Sequence, residues 1–172
     1  VENTESPMFA KFKGVDRKLQ IYLGQKSGDF KLWSENTEAV MGFGDGGIAA
    51  LYDDPFLGLS VNSKGSLVVS NEGGSAFKWG NDIKFQWRTV NGKADFYFVG
   101  RTITYTGYQE KYDRQTIQVI DENLITGKKT DNLYNANEET PVKLKKTKTS
   151  YNKQPLIKFQ DVNVNQAFNW DN

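Results

Sequence analysis

Residues 56–99 read FLGLSVNSKGSLVVSNEGGSAFKWGNDIKFQWRTVNGKADFYFV, and this stretch decides the fold class. Its sharpest signal is Asn91-Gly92, set between two alternating runs. Asn-Gly favours a two-residue type I′ turn because both residues tolerate positive φ. With those two at the tip, Val90 faces Lys93, Trp87 faces Phe96 and Phe85 faces Phe98. The aromatic pairs then share one side of the ribbon, while Arg88 faces Asp95 and Gln86 faces Tyr97 on the other. Each cross-strand pair contributes roughly 0.2–1 kcal/mol, enough together to fix the register. A second hairpin precedes it, with Leu59-Ser60-Val61 and Leu67-Val68-Val69 flanking Asn62-Ser63-Lys64-Gly65. Asn first and Gly last fit a type I turn closed by a left-handed glycine.

Outward from this stretch, strand-like runs recur at short spacing: 8–13, 19–23, 29–33, 38–43 and 48–52 before it, 101–106 and 115–121 after it. Thr102, Thr104 and Thr106 alternate with Ile103 and Tyr105, a period of two with one polar face. Residues 123–139 carry loop residues and little periodicity. Late strands are predicted at 142–147, 156–159 and 162–164. No segment carries a sustained, capped helical period, so the chain is predicted to be all-β. Residues 1–7 are polar, end in Pro7 and are read as a loose terminus; residues 8–172 form one domain.

Three triplets share an aromatic–aliphatic–glycine pattern: Tyr22-Leu23-Gly24, Phe56-Leu57-Gly58 and Phe98-Val99-Gly100. Units of this spacing, each holding several short strands, suit a β-trefoil-like barrel. An antiparallel β-sandwich or jelly roll is the alternative.

The pattern Phe56-Leu57-Gly58, Gly65-Ser66-Leu67-Val68-Val69-Ser70, Ala76-Phe77-Lys78-Trp79 resembles small secreted fungal cell-wall proteins with β-trefoil-like modules. The resemblance implies a non-catalytic extracellular or wall-associated protein and brings no catalytic residues with it.

Composition narrows the chemistry. The 172 residues are 13% aromatic, which a disordered chain would not be. Lys and Arg number 22 against 21 for Asp and Glu, so no global field selects nucleic acid or an anionic membrane. There is no cysteine and no histidine, which removes thiol nucleophiles, thiolate metal sites and the commonest general base. No run is long and apolar enough to span a bilayer. The chain starts at Val1, as a processed product would, and an extracellular or cell-wall location is expected.

Four tryptophans form the most suggestive set, three of them in Phe-x-Trp steps: Phe77/Trp79, Phe85/Trp87 and Phe168/Trp170. Phe85 and Trp87 are read as core, because the other side of their hairpin carries the polar pairs. Trp33 and Trp79 are the candidates for stacking on sugar rings, with Asp45, Asp53 and Asp54 as hydroxyl partners. The same aspartates are the oxygen ligands a calcium ion would use, set against a plain turn before Pro55; otherwise no cofactor is expected. Gly42-Phe-Gly-Asp-Gly-Gly47 satisfies G-x-G-x-x-G but lacks the following helix, so it reads as a loop. Lys143, Lys145, Lys146, Lys148 and Lys153 make a local basic patch, partly neutralised by the preceding Glu138 and Glu139. It is read as the outward lysines of an edge strand, with a polyanion such as nucleic acid or a sulfated or phosphorylated glycan as the alternative. The expected function is a non-catalytic module that binds a glycan or wall polymer. Alternatives are a protein-interaction module (secreted effector, inhibitor or structural wall protein) and a small glycosidase with two convergent carboxylates.

Overall fold

The computed structural model describes residues 17–42, 45–46, 54–136 and 142–164. The strands expected at 8–13 and 48–52, the loose terminus 1–7, and Asp53, Phe168 and Trp170 lie outside the described residues.

The described chain is all-β. β1 (Leu19–Gly24) and β2 (Phe30–Asn36) form an antiparallel pair. β3 (Phe56–Val61), β4 (Leu67–Gly74), β5 (Lys78–Val90), β6 (Lys93–Gln109), β7 (Arg114–Asn123), β8 (Lys128–Asn135) and β9 (Lys148–Tyr151) form a seven-stranded antiparallel meander in sequence order. No sheet closes on itself among the described residues: β3 and β9 are open edges, so the barrel expected from the triplets is not seen. The triplets explain why they misled. Tyr22-Leu23-Gly24 ends β1, Phe56-Leu57-Gly58 begins β3, and Phe98-Val99-Gly100 sits inside β6, three positions with no structural equivalence.

Both central hairpins form as read. Val90 pairs with Lys93, Trp87 with Phe96 and Phe85 with Phe98, across a turn whose Asn91 and Gly92 have φ of 51° and 75°. In the earlier hairpin the Gly65 N–H donates to the Asn62 carbonyl, and Gly65 takes φ 72°. The Asn62 side chain adds two bonds, accepting from the N–H groups of Lys64 and Ser66.

Four local expectations change. β6 is one strand of 17 residues, because Gly100 continues it: a Cβ there would strike the Glu122 carbonyl of β7. β8 lies inside the stretch expected to be loop; its sequence KKTDNLYN has little apolar periodicity, but ladders to β7 and β9 hold it from both sides. Residues 38–42 make no strand. Ala39, Val40 and Met41 are buried instead, plugging the space between the sheets. Late in the chain, Lys143 and Lys158 make only single bridges, to Tyr134 and Tyr97.

One apolar cluster joins the two sheets. Leu19 and Ile21 of β1 meet Val69 of β4, Ile83 and Phe85 of β5 and Phe98 of β6, sealed by Phe159, Val162 and Val164. Phe85 is fully buried, edge-on to Phe159 at 5.2 Å and tilted against Phe98 at 6.1 Å. The asparagine Asn36 ties this seal down, its amide donating to the Phe159 and Val162 carbonyls.

Two more asparagines lie at the end of this core. Asn71 and Asn81 face each other across β4 and β5, both buried, and neither amide bonds to another protein group among the described residues. An unsatisfied buried polar group costs about 1–3 kcal/mol, whereas an apolar residue of similar shape removes the penalty. The double variant Asn71→Leu/Asn81→Leu is therefore expected to be more stable than wild type by about 1–3 kcal/mol. Chemical denaturation checks this; a lower midpoint would mean the pair has bonding partners after all.

Candidate functional site

Among the described residues the core cluster gathers on the sheet from β3 to the hairpin end of β6 and does not extend along the same face to β8. Register places one row of side chains across this second half: Trp79 pairs with Tyr105, Tyr105 with Gln118, and Gln118 with Leu133. Paired residues share a face, and strands lie about 4.8 Å apart, so the row runs about 14 Å across the strands. At its β5 end is a cleft of about 410 Å³ lined by Phe77, Trp79, Tyr105, Gln109, Thr116 and Gln118.

Two glycines shape that cleft. The Trp79 indole lies over Gly73 of β4, where a Cβ would meet ring atoms and the Gly46 carbonyl. The Phe77 ring lies over Gly107 of β6, where a Cβ would fall inside the ring's own envelope. Without side chains beneath them, both rings lie close to the sheet. Phe77 remains 68% exposed, while Trp79 is half-buried against the core. Burial pushes the Tyr105 phenol up to about 12, against the opposing charge of Arg101, so it stays protonated at neutral pH. The lining thus combines aromatic surface with amide and hydroxyl groups and the Lys78 ammonium, and among the described residues it holds no carboxylate.

A second depression of about 130 Å³ shares Gln109 and Gln118 with the first and continues toward β9. Lys145, Lys146 and Lys148 line it with Leu133 and Asp131, and the Gln118 amide donates to Asp131 at 2.9 Å. The basic patch therefore divides. Lys148 opens the edge strand β9, as the edge-strand reading expects, whereas Lys145 and Lys146 precede it and flank the depression.

Trp33 is elsewhere. It sits beside the tip of the β5–β6 hairpin, edge-on to Trp87 at 5.2 Å, and Trp87 is edge-on to Phe96 at 5.3 Å. Trp79 and Trp87 are eight residues apart on one strand, about 26 Å at the usual rise, so the two candidate tryptophans belong to separate surfaces. Trp87, read as core, is 42% exposed: the buried cluster reaches Phe85 and Phe98, and toward the tip Phe96 is only partly buried against it. The expected Arg88–Asp95 pair also takes another form. Asp95 accepts from the Trp33 indole at 3.0 Å and the Phe96 N–H at 2.9 Å and pairs with Lys158 at 3.1 Å, while Arg88 donates to Gln86.

Burial alone would raise the Asp95 carboxyl, but the bonds from Trp33, Lys158 and Phe96 outweigh it and hold the group below the usual carboxylate range. A depressed folded-state value means stability that is present above the unfolded value and lost as pH falls through the folded one. Wild type is therefore expected to lose stability as pH drops below about 4, and Asp95→Asn to lose less over the same range. Denaturation midpoints measured down the pH series check this; identical acid profiles would contradict it.

Asp45 and Asp54 each hold hydrogen bonds within the protein. Asp45 accepts from the Gly42 N–H, closing the turn within the glycine-rich segment. Asp54 accepts from Arg17 and from the Phe56 N–H, and the Arg17 guanidinium also lies over the Phe56 ring. The bond from Arg17 holds the Asp54 carboxyl below its ordinary value. Among the described residues no three acidic side chains converge as a metal site requires. No helix among the described residues is long and apolar enough to cross a membrane.

No protein family, curated protein or solved structure matches the chain. Of the cleft residues, Trp79 was legible as an aromatic on a strand, and Phe77 as its partner in a Phe-x-Trp step. Nothing in the sequence marks Tyr105, Gln109, Thr116 and Gln118 as site residues: the register of β6 on β5 brings Tyr105 beside Trp79, and that of β7 on β6 adds Thr116 and Gln118.

Proposed function

We propose that the chain is a non-catalytic carbohydrate-binding module, built as a two-sheet β-sandwich, and that it acts outside the cell or in a cell wall. The observation that carries this reading is the cleft on the larger sheet, where Phe77, Trp79 and Tyr105 stand beside Gln109, Thr116 and Gln118. Apolar walls with a few converging polar groups are the usual make-up of a small-ligand site. Aromatic faces take the C–H surface of a sugar ring, and amides and hydroxyls take its hydroxyl groups. A glycosidase would need two carboxyls across the scissile bond, and the described residues of the cleft lining supply none.

The test is a panel of soluble oligosaccharides and insoluble polysaccharides, with Phe77→Ala, Trp79→Ala and Trp33→Ala beside wild type. At least one glycan is expected to bind wild type, and each cleft variant to weaken it about tenfold or more, as truncating a central aromatic contact does. Phe77 is exposed, so its variant keeps the fold even if Trp79→Ala disturbs it. Retention of no glycan, or loss on Trp33→Ala with both cleft variants intact, would refute the proposal.

A second reading rests on a different surface. Tyr22, Phe30 and Leu32 lie on the outer face of the β1–β2 pair, all exposed, where Tyr22 pairs with Leu32 and Gly24 with Phe30. A contiguous exposed apolar patch marks a protein-binding surface, which suits a protein-interaction module. Binding that is lost on Phe30→Asp and kept on Phe77→Ala would favour it.

A further inference from the structure

The aromatic cleft does not end at neutral groups. It opens through Gln109 and Gln118 into the depression lined by Lys145, Lys146 and Lys148. Register puts Lys148 opposite Asp131, on the same face as Gln118. The two depressions thus make one groove across the strands, with rings at the β5 end and ammonium groups at the β9 end. Among the described residues Asp131 is the single carboxylate in the lining of this end, against three lysines, and it already accepts from Gln118. Lys78 adds a fourth cation at the aromatic end. Because the whole chain carries a formal net charge of only +1, this concentration is local to the groove and not a by-product of a basic protein.

Resting on the glycan reading above, we infer that the ligand is an acidic glycan, a polysaccharide whose sugar rings stack in the cleft while its carboxylate, sulfate or phosphate groups meet Lys145, Lys146 and Lys148. The shared chemistry is an oxyanion carried one or a few sugar units from a stacked ring. Lysine suits it, as a point charge with rotatable donors and no demand for one planar geometry. The groove is also open to solvent, so its electrostatic contribution falls with added salt.

Matched polymers test this without knowing the natural ligand: dextran against dextran sulfate, methyl-esterified pectin against polygalacturonate, and a neutral mannan against a phosphomannan. Each is run by affinity electrophoresis with wild type, Phe77→Ala and the triple variant Lys145→Gln/Lys146→Gln/Lys148→Gln. Wild type is expected to bind at least one acidic polymer about tenfold more tightly than its neutral counterpart, the sum of three exposed charge contacts. The triple variant is expected to lose that preference while keeping the neutral-polymer affinity. Phe77→Ala is expected to lose both. The pair that responds tells carboxylate from sulfate from phosphate. Equal binding of acidic and neutral members, still abolished by Phe77→Ala, overturns the acidic preference and leaves the glycan reading standing. Binding to no polymer overturns both. Single-stranded DNA bound as tightly as the acidic polymer, and unaffected by Phe77→Ala, would mean the lysines act as a general polyanion surface and overturns the inference.

Discussion

Replacing Phe85 by alanine is expected to lower the unfolding free energy by about 3–5 kcal/mol, the cost of emptying a phenylalanine site in a close-packed core. Phe85 is fully buried and touches both halves of the apolar cluster, Phe98 on its own sheet and Phe159 on the segment that seals the core. Neither neighbour can collapse into the gap freely. Phe98 is held by the β5–β6 ladder, and Phe159 by the bond from Asn36 to its carbonyl. A domain stable by about 5–15 kcal/mol would be left with a large unfolded fraction. Urea denaturation of Phe85→Ala beside Phe77→Ala makes the comparison internal. The exposed Phe77 is expected to cost no more than about 0.5 kcal/mol. Equal losses at the two positions would mean the core is not where the structure puts it.

The second large effect is on binding and leaves the fold in place. Gly107→Val is expected to weaken glycan binding about tenfold or more, because its side chain takes the space under the Phe77 ring. The nearest atoms to a Cβ at this position all belong to that ring. The ring can swing outward on a turn between β4 and β5, so the clash is relieved at the cost of the cleft wall. A β-branched residue suits a strand, and the β6–β7 ladder is untouched. Gly73 offers the contrast: there a Cβ also meets the Gly46 backbone carbonyl, so Gly73→Ala is expected to cost stability as well as binding. Thermal melts paired with glycan titrations separate the two glycines. A Gly107→Val protein that binds like wild type would remove Phe77 from the site.

What the sequence made legible follows from the range of each signal. The two hairpins rest on turn residues and neighbours a few positions away, and both formed in the expected register. Asn91 and Gly92 needed nothing beyond their own backbone freedom. β8 depended on ladders to strands on either side, which KKTDNLYN does not announce. The burial of Ala39, Val40 and Met41 likewise came from the position of a second sheet, not from their own alternation. For the candidate site the same limit holds. Trp79 could be picked as an aromatic on a strand, but its separation from Trp33, and its meeting with Gln118 from 39 positions further on, are products of the meander. Asp95 is the sharpest case: cross-strand pairing put it opposite Arg88, yet its carboxylate turned to the Trp33 indole and Lys158 on other parts of the chain.

Four tryptophans give four indole N–H signals, and a titration that follows them under added glycan reads the binding surface directly. The signal of Trp79 is expected to shift with saturation, while that of Trp33, whose N–H is held by Asp95, stays in place. Movement of the Trp33 signal with Trp79 unchanged would place the ligand at the hairpin tip and contradict the cleft.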